Sequence, residues 1–191
     1  TASPITITAG NTTADITIDI AEDLIDEPDQ TVIVTMGNPV IAAKGATTVH
    51  TATILDNDVA GITVTQSGGS TNVTEGGATD TYTVVLDTEP TANVTITVTP
   101  DGQSSVGSGA GVARQLTFTS ANWSTPQTVT VTAYDDPDID GAHTSTITHT
   151  AASTDTFYDG ITIGSVTANI TDNDTAGVNV TESGGTTNVT E

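Results

Sequence analysis

The sequence predicts an all-β fold, a tandem of antiparallel β-sandwiches of seven strands each, and three observations predict it. First, β-branched residues dominate: Thr is the commonest residue, and Val and Ile supply most of the large apolar side chains. Such residues favour the pleated strand over the helix. Second, apolar and polar residues alternate in DITIDI (15–20), TVIVT (31–35), NVTITVT (93–99), QTVTVTA (127–133), STITHT (145–150) and VTANIT (166–171). That period belongs to a sheet with one buried and one wet face. Third, long motifs recur: TATILDND (51–58) returns as TANITDND (167–174), and AGITVTQSGGSTNVTE (60–75) as AGVNVTESGGTTNVTE (176–191). Repetition in register marks tandem modules.

The recurring Asp-Asn-Asp, 56–58 and 172–174, sets the module length at 116 residues (56 to 172). Residues 1–58 are then the back part of one module, strands D to G, because ITITAGNTTADITIDIAEDLIDEPDQT (5–31) aligns with LTFTSANWSTPQTVTVTAYDDPDIDGAHT (116–144). Residues 59–174 make a complete module, and 175–191 supply the first strand of a third. In the complete module the strands are A (61–75, interrupted by Ser-Gly-Gly at 67–69), B (80–87), C (93–99), D (114–119), E (127–134), F (143–151) and G (161–171). The Ser-Gly-Gly reads as a kink or bulge, since no Lys and no following helix support a phosphate loop. Trp123 at the D–E turn and Tyr158 at the F–G turn are expected to plug the ends of the core. The opening TASPITIT has neither an initiator Met nor a leader, and the chain reads as a window on a longer array.

Charge narrows the function. Two Lys and Arg stand against 24 Asp and Glu in 191 residues, a formal net charge of -22. Lys44 and Arg114 are the only permanent cations, so nearly every carboxylate lacks a basic partner. Nucleic acid and anionic membrane surfaces both need basic footprints, and both are excluded as partners. Cations, or simple solvation, fit instead. Cysteine is absent, so no disulfide forms, and no apolar run of about 18 residues is present to insert into a membrane. Catalysis is not expected. There is no Cys nucleophile or GxSxG elbow, and the paired carboxylates cluster where a metal would keep them ionised rather than tuned as acids.

Strand parity gathers those acids. With strands alternately up and down, A, C, E and G all end at one pole. That pole receives Glu75, Asp101, the run Asp135, Asp136, Asp138 and Asp140, and finally Asp172, Asn173 and Asp174. The opposite pole holds fewer: Asp87, Glu89, Asp155 and Asp159. Like charges so crowded would splay the loops unless a hard cation held them. Calcium takes six to eight oxygens from carboxylates, carbonyls and water, whereas zinc favours His or Cys. The histidines, His50, His143 and His149, are read as ordinary strand residues away from the cluster. Solvation alone is the adequate reading for scattered acids such as Asp15, Asp19, Asp80 and Glu89.

The order VTEGG, acidic E–F loop, then a strand and ILDND or ITDND resembles Calx-beta modules, as a tandem in a bacterial extracellular or surface protein would carry them. The stretch DLIDEPDQTVIVTMGNPVIAAKGATTVHTATILDND (23–58) is similar to the family's C-terminal half. The resemblance implies an immunoglobulin-like sandwich that binds calcium at one end. It implies ligands at Glu75, Asp135, Asp136, Asp140, Asp172 and Asp174, with Asn173 between the last two. In the first piece the matching residues are Glu22, Asp23, Glu27, Asp56 and Asp58, around Asn57 and with Asp26 as an extra ligand; the third piece offers Glu191. The C–D segment DGQSSVGSGAGVARQLTFT lacks the family's usual Asp-Tyr, a ligand that Asp101 could replace.

The expected function is that of a calcium-binding structural repeat in an extracellular or cell-surface adhesin, matrix or filament protein, with Ca2+ stiffening the junctions between modules. Its partners are calcium ions, neighbouring repeats of the same or another copy of the chain, and a cell-surface or matrix ligand. Two alternatives stay open. The fold is also used as a calcium sensor, with affinity near 10⁻⁶ M rather than the 10⁻⁴ to 10⁻³ M of extracellular modules. The incomplete end modules could also be completed by strands from neighbouring chains, making a self-assembling fibre.

Overall fold

The computed structural model describes residues 4–185, 187 and 189–191. It is all-β: apart from two short 3-10 turns, the regular elements are strands. β1 (Gln30–Thr35) and β2 (Val49–Ile54) form a two-stranded antiparallel sheet. The other strands are β3 (Ile62–Gln66), β4 (Thr71–Thr74), β5 (Asp80–Leu86), β6 (Val94–Pro100), β7 (Ser104–Ser105), β8 (Arg114–Phe118), β9 (Gln127–Ala133), β10 (His143–Ala152) and β11 (Val166–Thr171). They make a five-stranded sheet in the order β4-β11-β10-β6-β8 and a four-stranded sheet in the order β3-β5-β9-β7.

The alternating sequences explain the packing. Val94, Ile96 and Val98 of β6, Phe118 of β8 and Ile147 of β10 are buried on the inner side of one sheet, with the intervening Thr residues outside. Tyr82, Val84 and Leu86 of β5 and Val129 and Val131 of β9 face them from the other, in a single core. A fully buried side chain of this kind contributes about 1.5–3 kcal/mol. Trp123 packs partly buried on this core. Tyr158 is buried; its hydroxyl donates to the Thr88 carbonyl at 2.7 Å and accepts from the Thr88 amide at 3.1 Å, tying the loop after β10 to the loop after β5.

Four expectations need correcting. Strand A is two strands: a 3-10 turn at Ser67–Gly69 divides it, so that β3 pairs antiparallel with β5 while β4 pairs parallel with β11 in the other sheet. Strand G begins at Val166 rather than 161, the preceding Ile161 and Ile163 packing on the core outside any strand. Residues 15–20 alternate as well as β9 does, yet form no strand, and Ile16, Ile18 and Ile20 are exposed. Their aligned counterpart β9 is held by β5, and nothing in residues 4–58 corresponds to β5. Ile33 of β1 is exposed for a different reason: it stands on the outer face of its strand, at the position that the exposed Thr146 takes in β10. In the third piece the 3-10 turn recurs at Ser183–Gly185, and the described residues around it form no strand; Thr186 and Asn188 of the expected strand lie outside the described residues.

Candidate metal centre

The acidic pole forms where β4, β9 and β11 end. Glu75 follows β4, and its amide bonds the Thr171 carbonyl at the end of β11 at 3.0 Å, so Asp172 and Asp174 leave the sheet beside it. Among the described residues, Glu75, Asp172 and Asp174 bring one carboxylate oxygen each within 4.8 Å of one another, close enough to hold a metal ion. Glu75 is only 3 % exposed. Its Oε2 and the Oδ2 of Asp174 are buried and have no hydrogen-bond partner. A buried carboxylate oxygen without a donor is costly, and a cation at that point removes the cost.

Ionisation follows the same division. Burial pushes Glu75 up, and the charge of Asp172 pushes it further. Burial also raises Asp174, with Asp172, Asp135, Asp136 and Asp138 adding repulsion. Asp172 goes the other way. The amide of Asp174 donates to its Oδ1 and the amide of Gly141 to its Oδ2, both at 2.7 Å, and these bonds hold it below the usual carboxylate range.

The E–F loop supplies the outer acids. Asp135 and Asn173 meet over Gly76: the Asn173 amide donates to the Glu75 carbonyl at 2.7 Å and to Asp135 Oδ1 at 3.3 Å. Gly76 has φ 57°, and a Cβ there would lie 2.9 Å from Asn173 Nδ2 and 3.1 Å from Asp135 Oδ1, so this position needs glycine on both counts. Asp136 accepts the Asp138 amide at 2.9 Å, while Asp138 and Asp140 are exposed. Asp101 spends its oxygens on the sandwich: Oδ1 accepts from Ser145 Oγ at 2.5 Å and the Gln103 amide at 3.1 Å, and Oδ2 from the Thr146 amide at 2.7 Å. Burial pushes Asp101 up, but these bonds outweigh it and leave it low.

Two residues escaped the sequence reading. Gly76 was visible only as half of a Gly-Gly turn. His143, placed away from the cluster, lies in it: its Nε2 is 3.7 Å from Glu75 Oε1. Parity arguments reach it, because the first residue of strand F sits at the pole where strand E ended. His149 is a strand residue as expected, in β10, and it is buried with its Nε2 2.9 Å from the Tyr82 hydroxyl.

In the first piece, Glu22, Asp23, Glu27, Asp56, Asn57 and Asp58 line one cavity. Burial raises Asp58, and Asp56, Asp23, Glu22 and Asp26 add to the effect. Asp56 Oδ2 accepts the Glu27 amide at 3.2 Å, and Asp23 Oδ1 the Ile25 amide at 3.0 Å. Asp26 stands elsewhere: its Oδ2 accepts the amide of Ala60 at 2.7 Å, in the link to the following sandwich.

No family model matches the chain, and no curated protein matches it. Among solved structures, the crystal structure of the apo-form Calx CBD1 domain is similar, with 15% sequence identity and a TM-score of 0.40, over 59% of this chain and 98% of that one. No helix among the described residues is long and apolar enough to cross a membrane.

Proposed function

We propose that this chain is a calcium-binding structural repeat of an extracellular or cell-surface adhesin, matrix or filament protein, built of tandem immunoglobulin-like, Calx-beta-like sandwiches and without catalytic activity. Its modules are 1–58, 59–174 and 175–191, the outer two incomplete. The observation that carries the reading is the pair of buried, partnerless oxygens, Glu75 Oε2 and Asp174 Oδ2, facing a third carboxylate. With two Lys and Arg against 24 Asp and Glu, the chain has too few permanent side-chain cations to neutralise its acids. Oxygen-only donors on loops suit calcium better than magnesium, which keeps its water. The same Asp-Asn-Asp that supplies Asp172 and Asp174 leads into the next module, so bound Ca2+ would stiffen the hinge it sits on. Order of the acidic motifs, as in Calx-beta modules, supports the same reading.

Thermal unfolding with and without a calcium chelator tests it. Calcium is expected to raise the melting midpoint of the chain, and an Asp172→Ala, Asp174→Ala double variant is expected to lose that rise. Equal midpoints with calcium and with chelator in the parent chain would defeat the reading.

A further inference from the structure

β2 presents an open edge, and the chain holds a second copy of the strand that fills the same edge in the sandwich. The repeat of TATILDND as TANITDND sets Ala52, Thr53, Ile54 and Leu55 against Ala168, Asn169, Ile170 and Thr171. In the sandwich those last four pair in parallel with Thr71, Asn72, Val73 and Thr74. β2 pairs with β1 alone, and among the described residues no strand lies on its other side. Such an edge is a template for another strand. The sandwich blocks its own edge at β4: Asp80 Oδ2 accepts the Asn72 amide at 2.8 Å, and the Ala78 carbonyl accepts the Thr74 amide at 2.9 Å. β2, Val-His-Thr-Ala-Thr-Ile, has no Pro, Lys or acid to do the same.

TNVTE, residues 71–75, returns letter for letter as 187–191. Ser-Gly-Gly in a 3-10 turn precedes both, with Gly68 at φ 64° and Gly184 at φ 80°. Val73 is 2 % exposed in β4, whereas Val189 is 92 % exposed. The amides of Asn72 and Thr74 point away from β11, so the alternate ones face it, and the Glu75 amide meets the Thr171 carbonyl at 3.0 Å. In the same register on β2, Glu191 meets Leu55 and arrives beside Asp56 and Asp58. Those two line an acidic cavity, and the strand that carries Glu75 in the sandwich has no counterpart in residues 4–58. The third piece leaves the sandwich at the acidic pole. The first piece joins at the opposite one, through Asp26 on Ala60 and Leu24 on Glu89. The strand and the edge of one chain therefore stand at opposite ends, as head-to-tail joining of copies requires.

We propose that residues 187–191 of a second copy of this chain add as a parallel strand to the free edge of β2, joining copies head to tail. Main-chain hydrogen bonds supply the attraction, and the alternate side chains set the register. Copies with a formal net charge of -22 each repel one another, so calcium at the shared acids is expected to permit the pairing. The pairing itself stands on the repeat; only its calcium dependence rests on the reading that these acids hold a metal. Sedimentation of the 191-residue chain tests it: mass is expected to rise with protein concentration in calcium and to stay monomeric in chelator. Val189→Pro removes an amide that faces β2 and disturbs no strand of the sandwich. It is expected to remain monomeric in calcium while keeping the calcium-dependent melting. The chain lacks cysteine, so register can be read by cross-linking. Thr53→Cys chains mixed with Asn188→Cys chains are expected to form a disulfide-linked dimer on oxidation, since neighbouring strands about 4.8 Å apart lie within a disulfide's reach. Thr53→Cys mixed with Thr190→Cys is expected to lose it. A chain monomeric at every concentration in calcium overturns the proposal, and a calcium-raised melting midpoint in the same sample leaves the metal reading standing. Cross-linking as efficient from Thr190→Cys as from Asn188→Cys also overturns it. Register-specific cross-linking that is equal in calcium and chelator supports the pairing, and equal melting midpoints beside it would sink the metal reading alone.

Discussion

Glu75 embodies a conflict between folding and binding. It is buried, one of its oxygens has no donor, and its pKa is raised by burial and by Asp172. A carboxyl with a raised folded-state pKa adds stability below its unfolded value, and that contribution is lost as pH rises through the folded value. The metal-free protein at neutral pH is therefore weakened by the very charge that a cation needs. Glu75→Gln is expected to melt at or above the parent in chelator at pH 7, and below it in millimolar calcium. The parent's own deficit in chelator is expected to shrink as the pH is lowered from 7 toward 5. Scanning calorimetry checks both, and a variant equally destabilised with and without calcium would show that Glu75 is only a structural acid. Sequence alone could not separate Glu75 from Asp101, since both end strands at the same pole. The difference lies in donors: Ser145, Thr146 and Gln103 satisfy Asp101, and nothing comparable reaches Glu75 Oε2. Those donors belong to a neighbouring strand more than forty residues away in Ser145 and Thr146, beyond any local pattern.

Among the elements, the interrupted first strand shows how turn chemistry sets topology. Gly68 and Gly69 have φ of 64° and 84°, a left-handed region that L-residues other than Asn and Asp rarely enter. Through that turn the chain leaves the partner β5 and joins β11, so the parallel β4–β11 pairing delivers Glu75 to the acidic pole. A Cβ at Gly69 meets nothing within 4 Å, so a side chain there costs conformational strain and no clash. Gly69→Val is expected to lower unfolding stability by about 1–2 kcal/mol, read from urea denaturation. Its calcium affinity is expected to fall as well, because the end of β4 carries Glu75; unchanged stability would show that the crossing does not need the left-handed turn. The kink was legible in Ser-Gly-Gly between two alternating runs, but the change of sheet was not, because alternation reports faces and not partners. Residues 15–20 make the same point from the other side. Their pattern equals that of β9, and only β9 has β5 beside it.

Across the whole molecule, one loop of the first piece holds the link to the sandwich, through Asp26 and the Leu24 carbonyl. The Leu24 carbonyl accepts the Glu89 amide at 2.7 Å, and Asp26 accepts the Ala60 amide at 2.7 Å, while the Ala60 side chain packs on the sandwich core. Both contacts spring from the loop that also carries Glu22, Asp23 and Glu27. Asp26, expected as a ligand, does not line the cavity those acids share. A cation drawn into that cavity would order the loop, and an ordered loop would keep Asp26 on the linker amide. The Ala60 amide is thus a direct reporter of metal-dependent stiffness. Its hydrogen exchange is expected to slow by about tenfold or more when calcium replaces chelator, which corresponds to about 1.4 kcal/mol of added protection. Asp26→Ala is expected to abolish that slowing while leaving the calcium-dependent melting of the sandwich intact, because Glu75, Asp172 and Asp174 belong to residues 59–174 alone. Exchange at Ala60 that is identical with calcium and with chelator would mean that the acidic loop does not govern the hinge, and that any stiffening arises within the sandwich itself.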